Sequence, residues 1–306
     1  MPNTDKVHID VSLVRRLIAT QFPQWADLPI KPVKSAGTSH TLYRLGDERV
    51  VRLPRTPSAS EQVDKEQRWL PRIAPFLPLS IPYPLAAGTP GEGYPWHWSV
   101  YPWLVGKDAS ITPVADAHQT AVALAEFLLA LHQIDPMDGP SPGKHNFFRG
   151  EPLAMRDGET RAAIASLHAK FDTDLVVEVW KCSLEAPAWG DPPCWIHGDL
   201  IPTNLLIHDG RLSAVIDFGG LGVGDPACDL LVAWTFLSAE AREVFRSALA
   251  VDDATWARGR GWALSFGLIA FDYYQESNLI LARIAKRSID EVLAEYKASE
   301  KIIKGH

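Results

Sequence analysis

The spacing of hydrophobic and polar positions in the first hundred residues predicts a small β-sheet with helices. Two short runs that favour strands flank a turn at residues 46–47, which predicts a β-hairpin. Helical spacing predicts an amphipathic helix over residues 7–19 and a second helix over residues 61–73. Aromatic and β-branched residues at 96–103 favour another strand. These elements together predict a small sheet with a helix packed on it.

Beyond residue 106 the hydrophobic pattern becomes mainly helical. Helical spacing recurs from residue 225 to the end, with a break near 251–253, and earlier over residues 113–134, 156–170 and 172–185. Three short apolar runs favour strands, at residues 195–196, 205–207 and 213–216. The chain therefore predicts an α+β fold. A small antiparallel β-sheet forms an N-terminal lobe of residues 1–104, and a mainly α-helical C-terminal lobe spans residues 105–306.

Charge is distributed unevenly between these two lobes. The formal net charge of the chain is −7, which argues against a general nucleic-acid binder. Residues 1–104 hold 12 of the 30 basic and 9 of the 37 acidic residues, so the first lobe is basic and the second is strongly acidic. A basic lobe suits an anionic ligand such as a nucleoside triphosphate, and an acidic lobe suits a cationic or metal-bound ligand. Alternatively, the acidic residues form solvated helix faces.

The cysteines and the apolar segments indicate the compartment. Cys182, Cys194 and Cys228 are odd in number and form no C-x-x-C pair, which argues against a disulfide framework or a cysteine zinc site. The N-terminus has no basic start followed by an apolar segment, and no stretch has the length and apolar character of a membrane span. We therefore expect buried free thiols, a cytoplasmic protein and no membrane partner.

A set of polar residues between the short strands carries the strongest chemical signal. The sequence reads His-Gly-Asp at residues 197–199, followed by Asn204, and Ile-Asp-Phe-Gly at residues 216–219. Phosphoryl transfer requires a carboxylate that orients the attacking hydroxyl and accepts its proton, and oxygen ligands that hold Mg²⁺ against the phosphates. Asp199, Asn204 and Asp217 supply these groups on loops next to apolar strands.

This motif resembles the catalytic segment of the protein-kinase-like superfamily. It looks most like the aminoglycoside phosphotransferase family, whose pattern is H-G-D-x-x-x-x-N followed by I-D-F/W-G/E. The resemblance extends over nearly the whole chain and implies a bilobal protein-kinase-like fold. It implies that Asp199 is the catalytic base and that His197 orients the loop. It also implies that Asn204 and Asp217 are magnesium ligands. The residues alone leave the alternative of a loop of Asx caps between strands.

In the N-terminal lobe the resemblance implies a cation that binds the nucleotide phosphates. Residues 50–55 look like the strand that carries this cation, and residues 65–70 look like the helix whose Glu66 pairs with it. The lysine that is usual in the family is replaced by Arg52. Arginine binds phosphate through a planar fork and not as a point charge, so the contact with the nucleotide differs. The alternative is that Arg52 is an exposed strand charge.

The resemblance also implies where the rest of the nucleotide binds. The loop that covers the phosphates would contain Thr38 and Ser39, although it lacks the G-x-G-x-x-G pattern of protein kinases. The base would be received by backbone groups of a strand and hinge, with the hinge at about residues 100–104 and with Val100, Tyr101 and Trp103 at the site. The resemblance thus implies ATP or GTP as the phosphoryl donor and Mg²⁺ as the cofactor.

Other polar residues are candidates for binding the acceptor. His145 and Asn146 lie in an irregular loop and could line a substrate pocket or pack on the surface. Asp272 and Glu276 are spaced by one helical turn and would share a face of a C-terminal helix. In the resembling family such helices offer acids to cationic substrates, and the alternative is a solvated face. Asp229 either anchors a helix or contacts the substrate.

These observations predict a small-molecule O-phosphotransferase that moves the γ-phosphoryl group of ATP or GTP to a hydroxyl. The acceptor would be an antibiotic of the aminoglycoside or macrolide type, or a metabolite such as an amino sugar, choline or homoserine, and the acidic C-terminal lobe favours a cationic one. A protein kinase is disfavoured because few residues follow Gly219 before the next helix and no A-P-E is present. A non-catalytic nucleotide-binding pseudokinase is the other alternative. The sequence is compatible with a monomer or a dimer.

Overall fold

The computed structural model describes residues 7–33 and 39–304, with side chains up to residue 299. Contacts between residues divide the chain into two compact units. The N-terminal unit comprises Met1–Pro75 and Ser80–Val105, and the C-terminal unit comprises Phe76–Leu79 and Gly106–His306.

The N-terminal unit is built on one five-stranded antiparallel sheet with the strand order β1-β2-β3-β5-β4. Its described elements are, in chain order, α1 (Val11–Gln21), β1 (Ile30–Val33), β2 (His40–Leu45), β3 (Arg49–Pro54), α2 (Pro57–Ile73), β4 (Ala86–Gly88) and β5 (Trp98–Pro102). The predicted antiparallel sheet is therefore confirmed.

The predicted hairpin corresponds to β2 and β3, and it fixes the face on which each side chain lies. Gly46 has φ +60°, a left-handed conformation that glycine adopts without steric cost in a tight turn. In the register of the hairpin Leu42 pairs with Arg52. Val51 and Leu53 are fully buried in the core against α1, and Arg52 points to the opposite face, as the alternation of strand side chains requires.

The C-terminal unit is mainly helical, which confirms the second half of the predicted fold class. Its elements are, in chain order, β6 (Lys107–Asp108), α3 (Ala117–Gln133), α4 (Asp157–Ser166), α5 (Thr173–Leu184), β7 (Cys194–Ile196), β8 (Leu205–His208), β9 (Arg211–Val215), β10 (Gly222–Gly224), α6 (Val232–Thr235), α7 (Ala239–Leu249), α8 (Asp253–Tyr274) and α9 (Leu279–Lys304). The short strands form two small antiparallel sheets, β6-β8-β9 and β10-β7.

Capping residues set the boundaries of these helices. Asp116 accepts a hydrogen bond from the backbone N–H of Gln119 at 3.0 Å, so α3 begins later than the pattern alone predicts. The break predicted near residues 251–253 lies between α7 and α8. There Ala250 ends α7 with φ +53°, and Asp252 caps α8 through the N–H of Thr255.

Three aromatic and acidic side chains join the C-terminal helices. The indole N–H groups of Trp234 and Trp256 both donate to the carboxylate of Glu295, which ties α6 and α8 to α9. These contacts satisfy polar groups that would otherwise be buried without partners. Within the ranges that the structure covers, no helix has the length and apolar character needed to cross a membrane. Cys182, Cys194 and Cys228 are free thiols.

Candidate active site

The loop that follows β7 is held by a buried aspartate. The carboxylate of Asp229 accepts hydrogen bonds from the backbone N–H groups of His197 and Gly198, both at 2.7 Å. Asp229 is fully buried, and this burial raises the pKa of its carboxyl group. Of the two roles expected for Asp229, the structure therefore shows an anchor, although the segment it anchors is the loop before Asp199 and not a helix.

Two glycines allow this loop to cross the segment after Asp217. Gly198 has φ +79°, and a Cβ atom built on it would lie 2.3 Å from the carbonyl oxygen of Gly220. A Cβ on Gly220 would in turn lie 2.8 Å from the carbonyl oxygen of His197. Real side chains do not approach backbone atoms this closely, so the crossing requires glycine in both segments.

His197 connects the same two segments through its ring. Its Nδ1 accepts a hydrogen bond from the N–H of Asp199 at 3.2 Å, which leaves Nε2 to donate to the carbonyl of Ile216 at 3.1 Å. The ring therefore has the neutral Nε2–H tautomer, and burial lowers the pKa of His197 accordingly. It also packs on the ring of Phe218, with the centroids 4.6 Å apart. These contacts fix the loop and leave no ring nitrogen for proton transfer.

The side chain of Asn204 is directed at Asp199. Its Nδ2 donates to the backbone carbonyl of Asp199 at 2.8 Å and to the carboxylate Oδ2 at 3.0 Å. Desolvation raises the pKa of the Asp199 carboxyl, the positive charge of Arg149 acts in the opposite direction, and the negative charge of Asp217 raises it further. Asp199 is only partly exposed, so it is a carboxylate in a restricted, polar site.

Asp217 lies next to Asn204 because their backbones are paired. The strands β8 and β9 form an antiparallel pair, which we call the ribbon. At its open end the N–H of Ile216 donates to the carbonyl of Asn204 at 2.9 Å, which brings the following residue, Asp217, next to Asn204. Asp217 has φ +61°, an uncommon conformation for a residue with a side chain, and it directs an exposed carboxylate away from the fold. One of its oxygens accepts the N–H of Gly219 at 3.3 Å.

The donor set formed by Asn204 and Asp217 fits a magnesium ion. Nδ2 of Asn204 donates to Asp199, whereas Oδ1 of Asn204 accepts no hydrogen bond from any described residue and is available as a ligand. The described part of the chain has no group of three or more His, Cys, Asp or Glu side chains that could hold a metal. Mg²⁺ is commonly held by one or two side-chain oxygens and completes its shell with water and phosphate oxygens, so two ligands are sufficient.

In the N-terminal unit, Arg52 forms an ion pair with Glu66. A guanidinium N–H of Arg52 donates to Oε2 of Glu66, and another lies 3.3 Å from Nδ1 of His40. Glu66 is almost fully buried and also accepts the hydroxyl of Tyr101 at 2.6 Å and the amide of Gln62 at 3.0 Å. The alternative that Arg52 is an exposed strand charge is wrong, because its side chain is only 15% exposed.

The other residues predicted to bind nucleotide are placed as follows. Val100 is buried in the sheet, and its carbonyl accepts the N–H of Leu85 at 2.8 Å. Tyr101 is committed to Glu66, and burial raises its pKa. The N–H of Trp103 donates to the carbonyl of Glu48 at 2.7 Å. Ser39 accepts a backbone hydrogen bond from Arg55, and Thr38 lies outside the described residues.

Of the candidate acceptor residues in the irregular loop, Asn146 supports the loop itself. It is fully buried, its Oδ1 accepts the N–H of Gly143 and its Nδ2 donates to the carbonyl of Arg149, both at 2.9 Å. Asn146 therefore packs inside the loop, whereas His145 is exposed and its Nε2 donates to the carbonyl of Ser141 at 2.8 Å.

The pairing of Asp272 and Glu276 on one helix face is wrong. Helix α8 ends at Tyr274, so Asp272 lies in its last turn and Glu276 follows the helix in an exposed turn. The reason is that Asn278 caps α9, its side chain accepting the N–H of Leu281 at 3.2 Å, so the chain must turn beforehand. Asp272 accepts the hydroxyl of Ser166 at 2.8 Å.

The structure also shows contacts of Arg149 and Asp225 that the sequence pattern did not predict. Arg149 is the positive charge that acts on Asp199, and its sequence context, a loop rich in Pro and Gly, gave no signal of this. Asp225 forms a buried ion pair with Arg258 of α8 at 2.8 Å, which fixes the segment after Asp217 on the helical core. Asp225 follows Asp217 closely in the sequence, but spacing does not predict an ion pair with a residue 33 positions later.

Comparison with known proteins gives the family. The model of the phosphotransferase enzyme family APH matches residues 30–262. No curated protein matches the chain in sequence. Among solved structures, the GDP and kanamycin complex of APH(2")-IIIa is 17% identical, with a TM-score of 0.68 over 92% of this chain and 98% of that chain.

Two further solved structures share the fold at similarly low identity. The macrolide 2′-phosphotransferase MphH from Brachybacterium faecium, an apoenzyme, is 22% identical with a TM-score of 0.62, over 92% of this chain and 97% of that one. The ADP-bound aminoglycoside phosphotransferase APH(2″)-Ib is 16% identical with a TM-score of 0.57, over 93% and 99%. Because the family model covers more than half of the chain, the protein belongs to the APH phosphotransferase enzyme family and is a phosphotransferase with an alcohol group as acceptor.

Proposed function

We propose that the protein transfers the γ-phosphoryl group of ATP or GTP to a hydroxyl of a small molecule, at a site centred on Asp199. The observation that carries this proposal is the arrangement around Asn204, which donates to Asp199 through Nδ2 and keeps Oδ1 clear next to Asp217. The carboxylate that receives the proton and the oxygens that hold a metal are thus supplied by one small ribbon. Phosphoryl transfer depends mainly on such positioning and on charge stabilisation.

The residues of the ribbon divide the chemistry between them. Asp199 orients the attacking hydroxyl and accepts its proton as the new P–O bond forms and the bond from the γ-phosphorus to the leaving nucleoside diphosphate breaks. Asn204 keeps the Asp199 carboxylate in place and, with Asp217, would hold Mg²⁺, which when bound neutralises the charge of the phosphates. His197 and Asp229 keep the loop in the required conformation.

For the nucleotide, we propose that Arg52 binds the phosphates in place of the usual lysine. Its ion pair with Glu66, which is itself fixed by Tyr101, supports this because the guanidinium is oriented before the ligand arrives. Val100 and Trp103 remain our candidates for the strand and hinge that receive the base.

The acceptor belongs to the hydroxyl-bearing small molecules. Relatives of the same fold include enzymes whose names state action on aminoglycosides and macrolides, and we propose an antibiotic of either type, or a metabolite such as an amino sugar, choline or homoserine, as the acceptor to test first. We also propose a cytoplasmic location, supported by the three free thiols.

The test is nucleotide turnover by the purified protein. With Mg²⁺ and ATP or GTP, we expect slow hydrolysis that is stimulated by a suitable acceptor and is lost in the variants Asp199→Ala and Asp217→Ala. The matched control is Asp209→Ala, because Asp209 is an 89% exposed aspartate in the turn between β8 and β9. Mg²⁺-dependent nucleotide binding without turnover by any acceptor would instead identify a non-catalytic binding module, and the absence of both would refute the proposal.

A further inference from the structure

The side chain of Arg149 is a partly buried cation that makes no direct contact with an acid. It forms no ion pair and no hydrogen bond with any residue the structure describes, and its Nη1 is shielded from solvent. Its guanidinium lies over the ring of Trp262, 5.2 Å from the centroid. Guanidinium groups taken out of water are normally paired with a carboxylate or phosphate, so this one is an exception that requires an explanation.

A second unpaired donor lies at the same ring. Trp262 is fully buried in α8, and its indole Nε1 has no hydrogen-bond partner among the described residues. Arg156 also lies over this ring, at 5.7 Å, and burial together with the charge of Arg149 lowers the pKa of Arg156 to about 10. Two guanidinium groups thus lie over the ring of Trp262. Glu159 pairs with Arg156 alone, and its side chain is 68% exposed. We call Arg149, Arg156 and Trp262 the donor cluster.

The loop that carries Arg149 is held in a strained conformation. Phe147 and Phe148 have φ +56° and +57°, and both rings are exposed to solvent. The loop is nevertheless fixed at its two ends, because the N–H of Val223 donates to the carbonyl of Pro140, and the N–H of Asp225 donates to the carbonyl of Gly150, both at 2.9 Å. Backbone strain that the surrounding structure maintains is typical of functional loops.

The position of the donor cluster relates it to Asp199. The residue after Arg149 packs on the strand that leads to Asp199, because a Cβ atom built on Gly150 would lie 2.8 Å from Cδ1 of Ile196 in β7. The positive charge of Arg149 also acts to lower the pKa of the Asp199 carboxyl. Asp199 is the group that the acceptor hydroxyl approaches, whereas the nucleotide phosphates are assigned to Asn204 and Asp217. A ligand group at the donor cluster would therefore belong to the acceptor.

Building on the proposed function, we propose that the donor cluster is a subsite for an anionic oxygen group, such as a carboxylate or a phosphate, on the phosphoryl acceptor. Arg149 would bind this group through its free N–H donors, and Trp262 would donate its indole N–H. Water can accept these hydrogen bonds, but only an anion also forms an ion pair with the guanidinium.

This inference opposes the cationic acceptor that the overall charge balance favours. That balance is a sum over a lobe, and charges more than about 10 Å from the ligand are largely screened at physiological ionic strength. The groups that contact a ligand decide which charge it can carry, and at the ring of Trp262 these groups are the guanidinium groups of Arg149 and Arg156. We therefore expect an acceptor with an acidic group near the hydroxyl to be preferred over the corresponding amine.

The first experiment measures anion binding directly, with inorganic sulfate as the probe. The full-length protein is titrated with sulfate by calorimetry at constant ionic strength, with chloride as the balancing anion. We expect one saturable site, with a dissociation constant raised at least about tenfold in Arg149→Gln because a charge-assisted hydrogen bond is lost. Trp262→Phe keeps the ring beneath Arg149 and removes only the N–H, so it should weaken binding by about threefold.

A matched control tests whether the loss of any arginine that stacks on a tryptophan weakens sulfate binding. Arg246 also stacks on a tryptophan, Trp256, at 5.1 Å, but it is ion-paired with Asp253. Arg246→Gln should therefore bind sulfate like the wild type. Absence of saturable sulfate binding by the wild type, or equal affinity in wild type and Arg149→Gln, would overturn the inference. Circular dichroism checks the folding of each variant, and if Arg149→Gln is unfolded, Trp262→Phe decides.

A second arm separates the acceptor from the donor phosphates as the source of the anion. The sulfate titration is repeated with saturating Mg²⁺ and the non-hydrolysable analogues AMP-PNP and GMP-PNP, which supply a full triphosphate. Undiminished sulfate affinity supports an acceptor subsite, and competition would assign the donor cluster to the nucleotide and refute our proposal. The sulfate titration needs no turnover, so it can detect the subsite even if the protein proves to have no kinase activity. Conversely, nucleotide turnover can be observed even if sulfate does not bind, so the two proposals can fail separately.

Discussion

Replacing Asp229 by asparagine tests the claim that a buried carboxylate holds the loop that leads to Asp199. Asp229 accepts two backbone hydrogen bonds, from His197 and Gly198, each 2.7 Å long. The asparagine side chain has nearly the same shape but only one oxygen. Its amide nitrogen would face one of the two N–H donors, so one hydrogen bond is replaced by two opposed donors in a fully buried site.

The expected cost follows from these two contacts. A hydrogen bond to a charged group contributes about 1.5–3 kcal/mol, and a buried donor left without an acceptor costs about 1–3 kcal/mol. One bond is lost and the other becomes a neutral one, so we expect Asp229→Asn to lower the free energy of unfolding by about 3 kcal/mol. Because the loop leads directly to Asp199, kcat should also fall, by about tenfold or more, at temperatures where the variant is folded.

Urea unfolding followed by circular dichroism measures the first effect, and coupled release of ADP or GDP measures the second. Asp116→Asn is the matched control, since Asp116 is an exposed N-cap that accepts one backbone N–H at 3.0 Å, and asparagine caps a helix about as well as aspartate. A loss of less than about 0.5 kcal/mol in Asp229→Asn, similar to the control, would refute the assignment of Asp229 as the anchor of the loop.

Four further predictions concern the loop before Asp199, an exposed position of α4, the proposed nucleotide site and the core. Gly198→Ala should destabilise by more than about 2 kcal/mol in thermal unfolding, because its φ is +79° and its Cβ would overlap a carbonyl oxygen. Gly158→Ala, in α4 with no atom near the new methyl, should stabilise by up to about 1 kcal/mol. Arg52→Ala should raise the dissociation constant of Mg²⁺–nucleotide about tenfold or more, and Arg52→Lys by less, because lysine keeps the charge without the fork; unchanged affinity in both would remove Arg52 from the nucleotide site. Burial lowers the pKa of His132 to about 4, below its unfolded value near 6.5, so stability falls as the pH drops from 6.5 towards 4. The wild type should lose about 2 kcal/mol more than His132→Leu between pH 7 and pH 5 in urea unfolding, and parallel losses would contradict this.

The elements whose contacts are local in sequence could be predicted well. The hairpin of β2 and β3 has a turn glycine and period-two alternation, and these alone place Arg52 opposite the buried Val51. Helix boundaries were less accurate, because a single capping residue decides them. Asn278 caps α9 and thereby ends α8 before Glu276, so two acids with helical spacing do not share a helix.

The proposed catalytic residues and the proposed acceptor subsite also differ in how far their positions could be predicted from the sequence. Asp199, Asn204 and Asp217 are fixed by backbone hydrogen bonds and tight glycine crossings within about twenty residues, so their spacing in sequence already determines their arrangement. Arg149 and Trp262 come from a loop and from α8, and what distinguishes them is a missing hydrogen-bond partner, which no spacing can express. Chemistry that is built on one local motif is therefore readable from the sequence. Acceptor choice depends on side chains that only the tertiary fold brings together, which is why one family can use the same ribbon for different acceptors.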